Sequence, residues 1–131
     1  MQRFIEAVWN NGDFAVADEI FRSDATSQSA PQLPPGPAGV RVIATMFRSA
    51  FPDFRMLIDM MVAEGDQVAA HFVQTGTHLG DFMGIPPTGR RVEFTEIGIL
   101  RIEDGKVVES WYQPDMLGLM QQLGAVGPIG G

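Results

Sequence analysis

Phe54-Arg55-Met56-Leu57-Ile58-Asp59-Met60-Met61-Val62 is the stretch that decides the fold. Phe54, Met56, Ile58, Met60 and Val62 alternate with Arg55, Leu57, Asp59 and Met61, a period of two that belongs to a strand. Glu64-Gly65-Asp66 follows as a turn, and Val68 to Thr77 reads as a second strand. A connection containing Gly80, Gly84, Pro86, Pro87 and Gly89 leads to a third strand, Val92 to Ile102. Asp104-Gly105 is a hairpin signal, and Val107 to Tyr112 is the fourth strand, ended by Pro114-Asp115. Within the second strand, Val68, Ala70, Phe72 and Gln74 form the more apolar set and are expected to face inward, which turns His71 and Val73 outward.

The flanks read differently. Phe4, Ile5, Val8 and Trp9 fall at helical spacing, as do Phe14, Ala17, Ile20 and Phe21. Asn10-Asn11-Gly12-Asp13 separates the two, with Asp13 a suitable N-cap. Residues 22–39 are rich in Ser, Pro and Gly and read as loop. Val40, Ile43, Phe47 and Ala50 share one face of a third helix, and Met116, Leu119, Met120 and Leu123 suggest a short closing one. The Gly-rich tail from Gly124 is expected to fray. Helices first and a meander of long strands afterwards specify an α+β domain spanning residues 1–131. A curved sheet covered on one face by helices leaves a pocket, the default binding site. The other face also needs cover, which points to a homodimer.

Composition narrows the chemistry. Sixteen acidic side chains against 9 basic ones give a formal charge of −7, a field that repels nucleic acid and anionic membrane. With no cysteine, a disulfide framework, a thiolate nucleophile and a Cys-ligated zinc site are excluded. His71 and His78 are seven apart, without HExxH spacing. No apolar run approaches a membrane span and the N-terminus lacks a signal-peptide pattern, so a cytoplasmic location is expected.

A series of motifs follows one order along the chain: Leu33-Pro34-Pro35-Gly36-Pro37, Phe51-Pro52-Asp53-Phe54, Gly76-Thr77-His78-Leu79-Gly80, Phe82 to Arg90, Arg101 to Glu109, Trp111, Asp115, and Leu117 to Gly124. In that order the chain resembles the SnoaL-like polyketide cyclases, or ester cyclases, over nearly its whole length. The resemblance implies the cone-shaped nuclear-transport-factor-2-like fold, with N-terminal helices packed on a strongly curved, mainly antiparallel sheet that encloses a pocket. It implies intramolecular aldol closure of a hydrophobic, carbonyl-rich polyketide, without metal or organic cofactor. Characterised members use an aspartate after the last long strand as general acid/base, and Asp115 matches that position. Where many relatives carry Asp-His or Asn-His, this chain has Ser27-Gln28, and where characterised cyclases carry a histidine it has Arg101. Another small-molecule enzyme on this scaffold (an isomerase, or a hydrolase of epoxides or esters) and a non-catalytic binder of apolar ligands are the rival readings.

Each candidate residue has a structural alternative. Asp115 is acid/base or a helix N-cap. His78 shuttles a proton or orders the loop it begins. Gln28 holds a substrate carbonyl or lies exposed in a loop. Arg101 stabilises an anion or pairs with an acidic neighbour. Trp111 is expected as a pocket wall, alongside Phe47, Phe72 and Gln74. The methionines line an adaptable cavity or fill an irregular core.

Overall fold

The computed structural model describes residues 1–126. Helix α1 covers Gln2–Phe4 and continues through Ile5–Asn10 as a wider, π-type turn. Then come α2 (Ala15–Ile20), β1 (Phe21–Ser27), α3 (Pro37–Ala50), β2 (Arg55–Glu64), β3 (Gln67–Thr77), β4 (Arg91–Glu103), β5 (Lys106–Pro114) and α4 (Met116–Gln122). The strands form one sheet in the order β1-β5-β4-β3-β2. Residues 127–131, where most of the tail expected to fray falls, lie outside the described residues.

The expected meander is present, with one change: β2 slips against β3 between Ile58 and Met60, so Met60 and Val62 leave the face of Met56 and Ile58 expected for them and turn outward. Gly65 (φ 60°) turns β2 into β3, and Asp104 (φ 51°) with Gly105 (φ 77°) turns β4 into β5. β3 and β4 pair without a slip from Gln67↔Arg101 to Thr77↔Arg91. That register sets the faces. Phe72, Gln74, Phe94, Glu96, Leu100, Ser110 and Tyr112 share the inner side, and His71, Val73, Ile97, Ile99 and Trp111 the outer.

Two expectations change at the N-terminal end. Residues 22–39 are not all loop, because β1 runs parallel to β5, pairing Phe21↔Val107 and Ser27↔Ser110. Phe21 therefore opens a strand instead of ending α2. Only Phe21 and Ala25 of β1 are buried, so its polar edge gives no alternation to read. Asp13 does not cap α2 through its side chain, and Phe14 holds the N-cap position.

The helices cover the inner face. Phe4, Ile5, Val8 and Trp9 are all buried, as their spacing requires. The wide turn brings Asn10 to the free edge of β2, where its amide accepts from Met56 N–H (2.7 Å) and donates to Met56 C=O (2.9 Å). The Arg48 guanidinium donates to the carbonyls of Trp9 and Asn10, both at 2.8 Å, and so satisfies acceptors the helix end leaves open. Trp9, Phe47, Phe51, Phe54, Phe82 and Phe94 pack as one aromatic cluster, with ring centroids 5.3 to 6.2 Å apart. Among the described residues no helix is long and apolar enough to cross a membrane.

Candidate active site

A cavity of about 190 Å³ opens between the helices and the concave sheet. Phe4, Trp9, Phe21, Val40, Ile43 and Phe47 supply apolar walls. Ser27 and Ser29 of the β1–α3 segment, with Gln74, Glu96, Ser110 and Tyr112 of the sheet, supply the polar surface. No Lys, Arg or His lines it.

Glu96 is the one carboxylate among the lining residues. It sits mid-strand on β4, opposite Phe72 on β3 and Pro114 on β5. Burial pushes its carboxyl up to about 7, because a charge there has lost most of its water. The Gln74 side-chain amide donates to Glu96 Oε1 at 3.0 Å and works the other way, favouring the charged form. The phenol of Tyr112 is held well above its ordinary value, first by burial and then by the negative charge of Glu96, while the Ser110 side chain opposes both.

A missing side chain makes this arrangement possible. Gly98 faces Tyr112 across β4 and β5. A Cβ on Gly98 would lie 2.9 Å from the Tyr112 ring and 3.0 Å from that of Phe72. The Tyr112 ring thus packs against Gly98 of β4, near enough to Glu96 to feel its charge.

The residues expected from sequence divide. Phe47 and Gln74 line the cavity. Phe72 is buried on the correct face, but its ring packs under Gly98 and does not reach the cavity wall. Trp111 alternates with Ser110 and Tyr112, so it lies on the outer face and not on the pocket wall expected for it. Gln28 and Arg101 do meet, outside the cavity. Gln28 Nε2 donates to one oxygen of Glu109, and Arg101 Nε to the other at 3.0 Å. Arg101 also reaches Glu103 at 3.1 Å, the acidic pairing foreseen as its alternative. None of the methionines lines the cavity.

His78 is fully buried at the start of the β3–β4 connection. Its Nδ1 accepts from Thr88 N–H (3.2 Å) and lies 3.0 Å from Thr88 Oγ1, while its main chain pairs with Gly89 and Arg90. It orders the loop and stands away from the cavity lining. Asp115 is exposed and is the N-cap of α4, accepting from Gly118 N–H at 2.9 Å. It follows Pro114, which does line the cavity, but is not itself part of the wall.

Sequence reasoning passed over Glu96, Ser110 and Tyr112. A signal was present in the β4 alternation, since Glu96 shares a face with Phe94 and Leu100. An acid in an otherwise apolar set is the mark of a functional position. Among the described residues, no three His, Asp or Glu side chains converge as metal ligands would.

Fold and site together define a small α+β protein whose curved sheet wraps one apolar, acid-bearing cavity. Comparison with known proteins places it further. A family model described as SnoaL-like polyketide cyclase matches residues 1–123. The chain is 31% identical to the aklanonic acid methyl ester cyclase DnrD of Streptomyces peucetius, over 98% of this chain and 90% of that protein. It is 29% identical to the nogalonic acid methyl ester cyclase of Streptomyces nogalater, over 93% of each. The solved structure of TsrD from Streptomyces laurentii superposes with a TM-score of 0.88 at 32% identity, covering 96% of this chain and 92% of that one. The chain belongs to the SnoaL-like polyketide cyclase family, and its nuclear-transport-factor-2-like architecture is the one expected.

Proposed function

We propose that this protein closes a ring in a hydrophobic, carbonyl-rich small molecule by cofactor-independent intramolecular aldol chemistry, with Glu96 as general acid/base. The observation that carries the reading is a lone carboxylate in an apolar cavity, poised at about 7. A carboxylate in water is too weak a base to take a proton from carbon between two carbonyls. Desolvation raises its basicity, and a group near neutrality can both take a proton and return it. The named activities of the two ester cyclases support the reaction class. A cavity without a cationic side chain suits a neutral substrate, such as an ester whose acid is masked.

This reading moves the acid/base role from Asp115 to Glu96 and leaves Asp115 as a cap. Asp115→Ala is expected to cost about 1 kcal/mol of stability while turnover by the folded protein persists. Denaturation curves and product assays on that variant measure both. Loss of turnover with stability intact would return the catalytic role to Asp115. The reaction itself is tested by incubating the protein with neutral polycarbonyl methyl esters and weighing the product. Ring closure conserves mass, whereas a product that has gained water would replace the cyclase reading with a hydrolase.

The same reading includes a homodimer formed through the outer sheet face. Leu57, Met60, Val62 and Ile97 are each more than half exposed there (62, 64, 64 and 54%). With Val73 and Trp111 they make an apolar surface of the kind that partners cover. Ile97→Lys places a charge in its middle and is expected to yield monomers in sedimentation equilibrium. An unchanged mass would remove this face from the assembly.

A further inference from the structure

We propose that the Tyr112 hydroxyl is the hydrogen-bond donor that carries the enolate oxygen of the reacting substrate. The inference rests on the reading of Glu96 as the base. An enolate is an anion, and the cavity lining has no Lys, Arg or His to meet it. The Gln74 amide, the one side-chain amide in the wall, already donates to Glu96. Apart from the second N–H of that amide the side-chain donors in the wall are hydroxyls, and a phenol is intrinsically more acidic than an alcohol, so it makes the stronger bond to a developing oxyanion.

The surroundings of Tyr112 are built to hold it still. Gly98 leaves the space its ring occupies. Ser29 Oγ accepts its main-chain N–H at 2.7 Å. Ser110 stands two residues back on the same face of β5, its side chain close enough to favour the ionised phenol. A hydroxyl both donates and accepts. A Ser110 hydroxyl donating to the phenol oxygen would leave the phenol proton free to point at substrate.

The steps balance. The substrate C–H bond breaks, its proton passes to a Glu96 carboxylate oxygen, and the electron pair moves onto the carbonyl oxygen beside Tyr112. The enolate carbon then bonds to a second carbonyl carbon of the same molecule. The new alkoxide takes the proton back from Glu96. Tyr112 gives up no atom, so it returns unchanged and the product is an isomer of the substrate.

Tyr112 is the sole tyrosine in the chain, so 3-fluorotyrosine labels this site alone. Naphthols of graded acidity serve as planar enolate mimics. Their binding is expected to move the fluorine resonance, further for the more acidic naphthols, and to tighten along the same series. Tyr112→Phe is expected to abolish that ranking and to lower kcat by roughly 10²–10³-fold with little change in KM. The labelled protein keeps the question answerable if the variant folds poorly. A fluorine signal indifferent to bound naphthol, or a Tyr112→Phe protein with wild-type kcat, overturns the proposal. Glu96→Gln separates the two readings. If that variant is inactive while Tyr112→Phe is not, only the donor assignment fails. If Glu96→Gln turns over normally, the base assignment has failed first.

Discussion

Glu96→Gln is expected to fold and to turn over substrate roughly 10²–10⁴-fold more slowly than the parent chain, the usual contribution of a positioned acid/base. The amide keeps the shape of the carboxyl and the contact with Gln74, so the loss isolates the proton transfer. On this reading kcat/KM of the parent chain is expected to rise with pH and level off above about 7, as the carboxyl ionises. Stability runs in the opposite direction. The folded-state value, about 7, lies above the ordinary 4.5, so the folded chain holds this proton more tightly than the unfolded chain does. Stability from this group is full below about 4.5 and declines as pH rises towards 7, by about 3 kcal/mol at most. Glu96→Gln has no proton to lose and escapes that decline. Denaturation at pH 4 and pH 8 should therefore find the inactive variant more stable than its parent at the higher pH only. A variant with parental turnover would dismiss Glu96 as the base. One with the parent's pH-dependent decline would show that its charge is not buried.

Gly98→Ala is the second large effect. The added methyl would sit 2.9 Å from the Tyr112 ring and 3.0 Å from Phe72, both inside van der Waals contact. Phe72 is fully buried and has no empty space to enter, so Tyr112, which borders the cavity, is the ring that yields. Overpacking of this kind costs about 2 kcal/mol, seen as a fall in Tm of roughly 5–10 °C. Activity is expected to fall further than stability, because the ring that yields is the one beside Glu96. A thermal scan and an assay at a temperature where the variant is fully folded separate the two losses. An unchanged Tm would show that the rings move aside at no cost.

The sheet was legible because its signals are local. Alternation in β3, Gly65 and the Asp104-Gly105 pair each act within a few residues and each held, whereas the β2 alternation held only to Ile58, beyond which a slip in the pairing turns Met60 and Val62 to the outer face. β1 escaped because its partner lies some eighty residues away and its exposed side is as polar as a loop. The cavity was harder. Gln74 and Phe47 were found from inward-facing sets on single elements, but the place of Glu96 depends on how four strands align. Trp111 shows the cost of trusting residue type over register, since a one-position step along β5 puts it on the far face. Arg101 and Gln28 drew attention because they stand where similar cyclases carry other residues. Their partner was Glu109, which only the folded chain brings near.

The parallel pairing of β1 with β5 also orders events in time. Strands β2 and β3, and β4 and β5, join through tight turns, β3 and β4 through residues 78–90, and each pairs with its neighbour in sequence. β1 must instead find an edge that exists only once Lys106–Pro114 is in place. The wall that carries Ala25, Ser27 and Ser29 is thus laid last. A chain with β1 unpaired would be an open cup, with Glu96 in water and an ordinary acid.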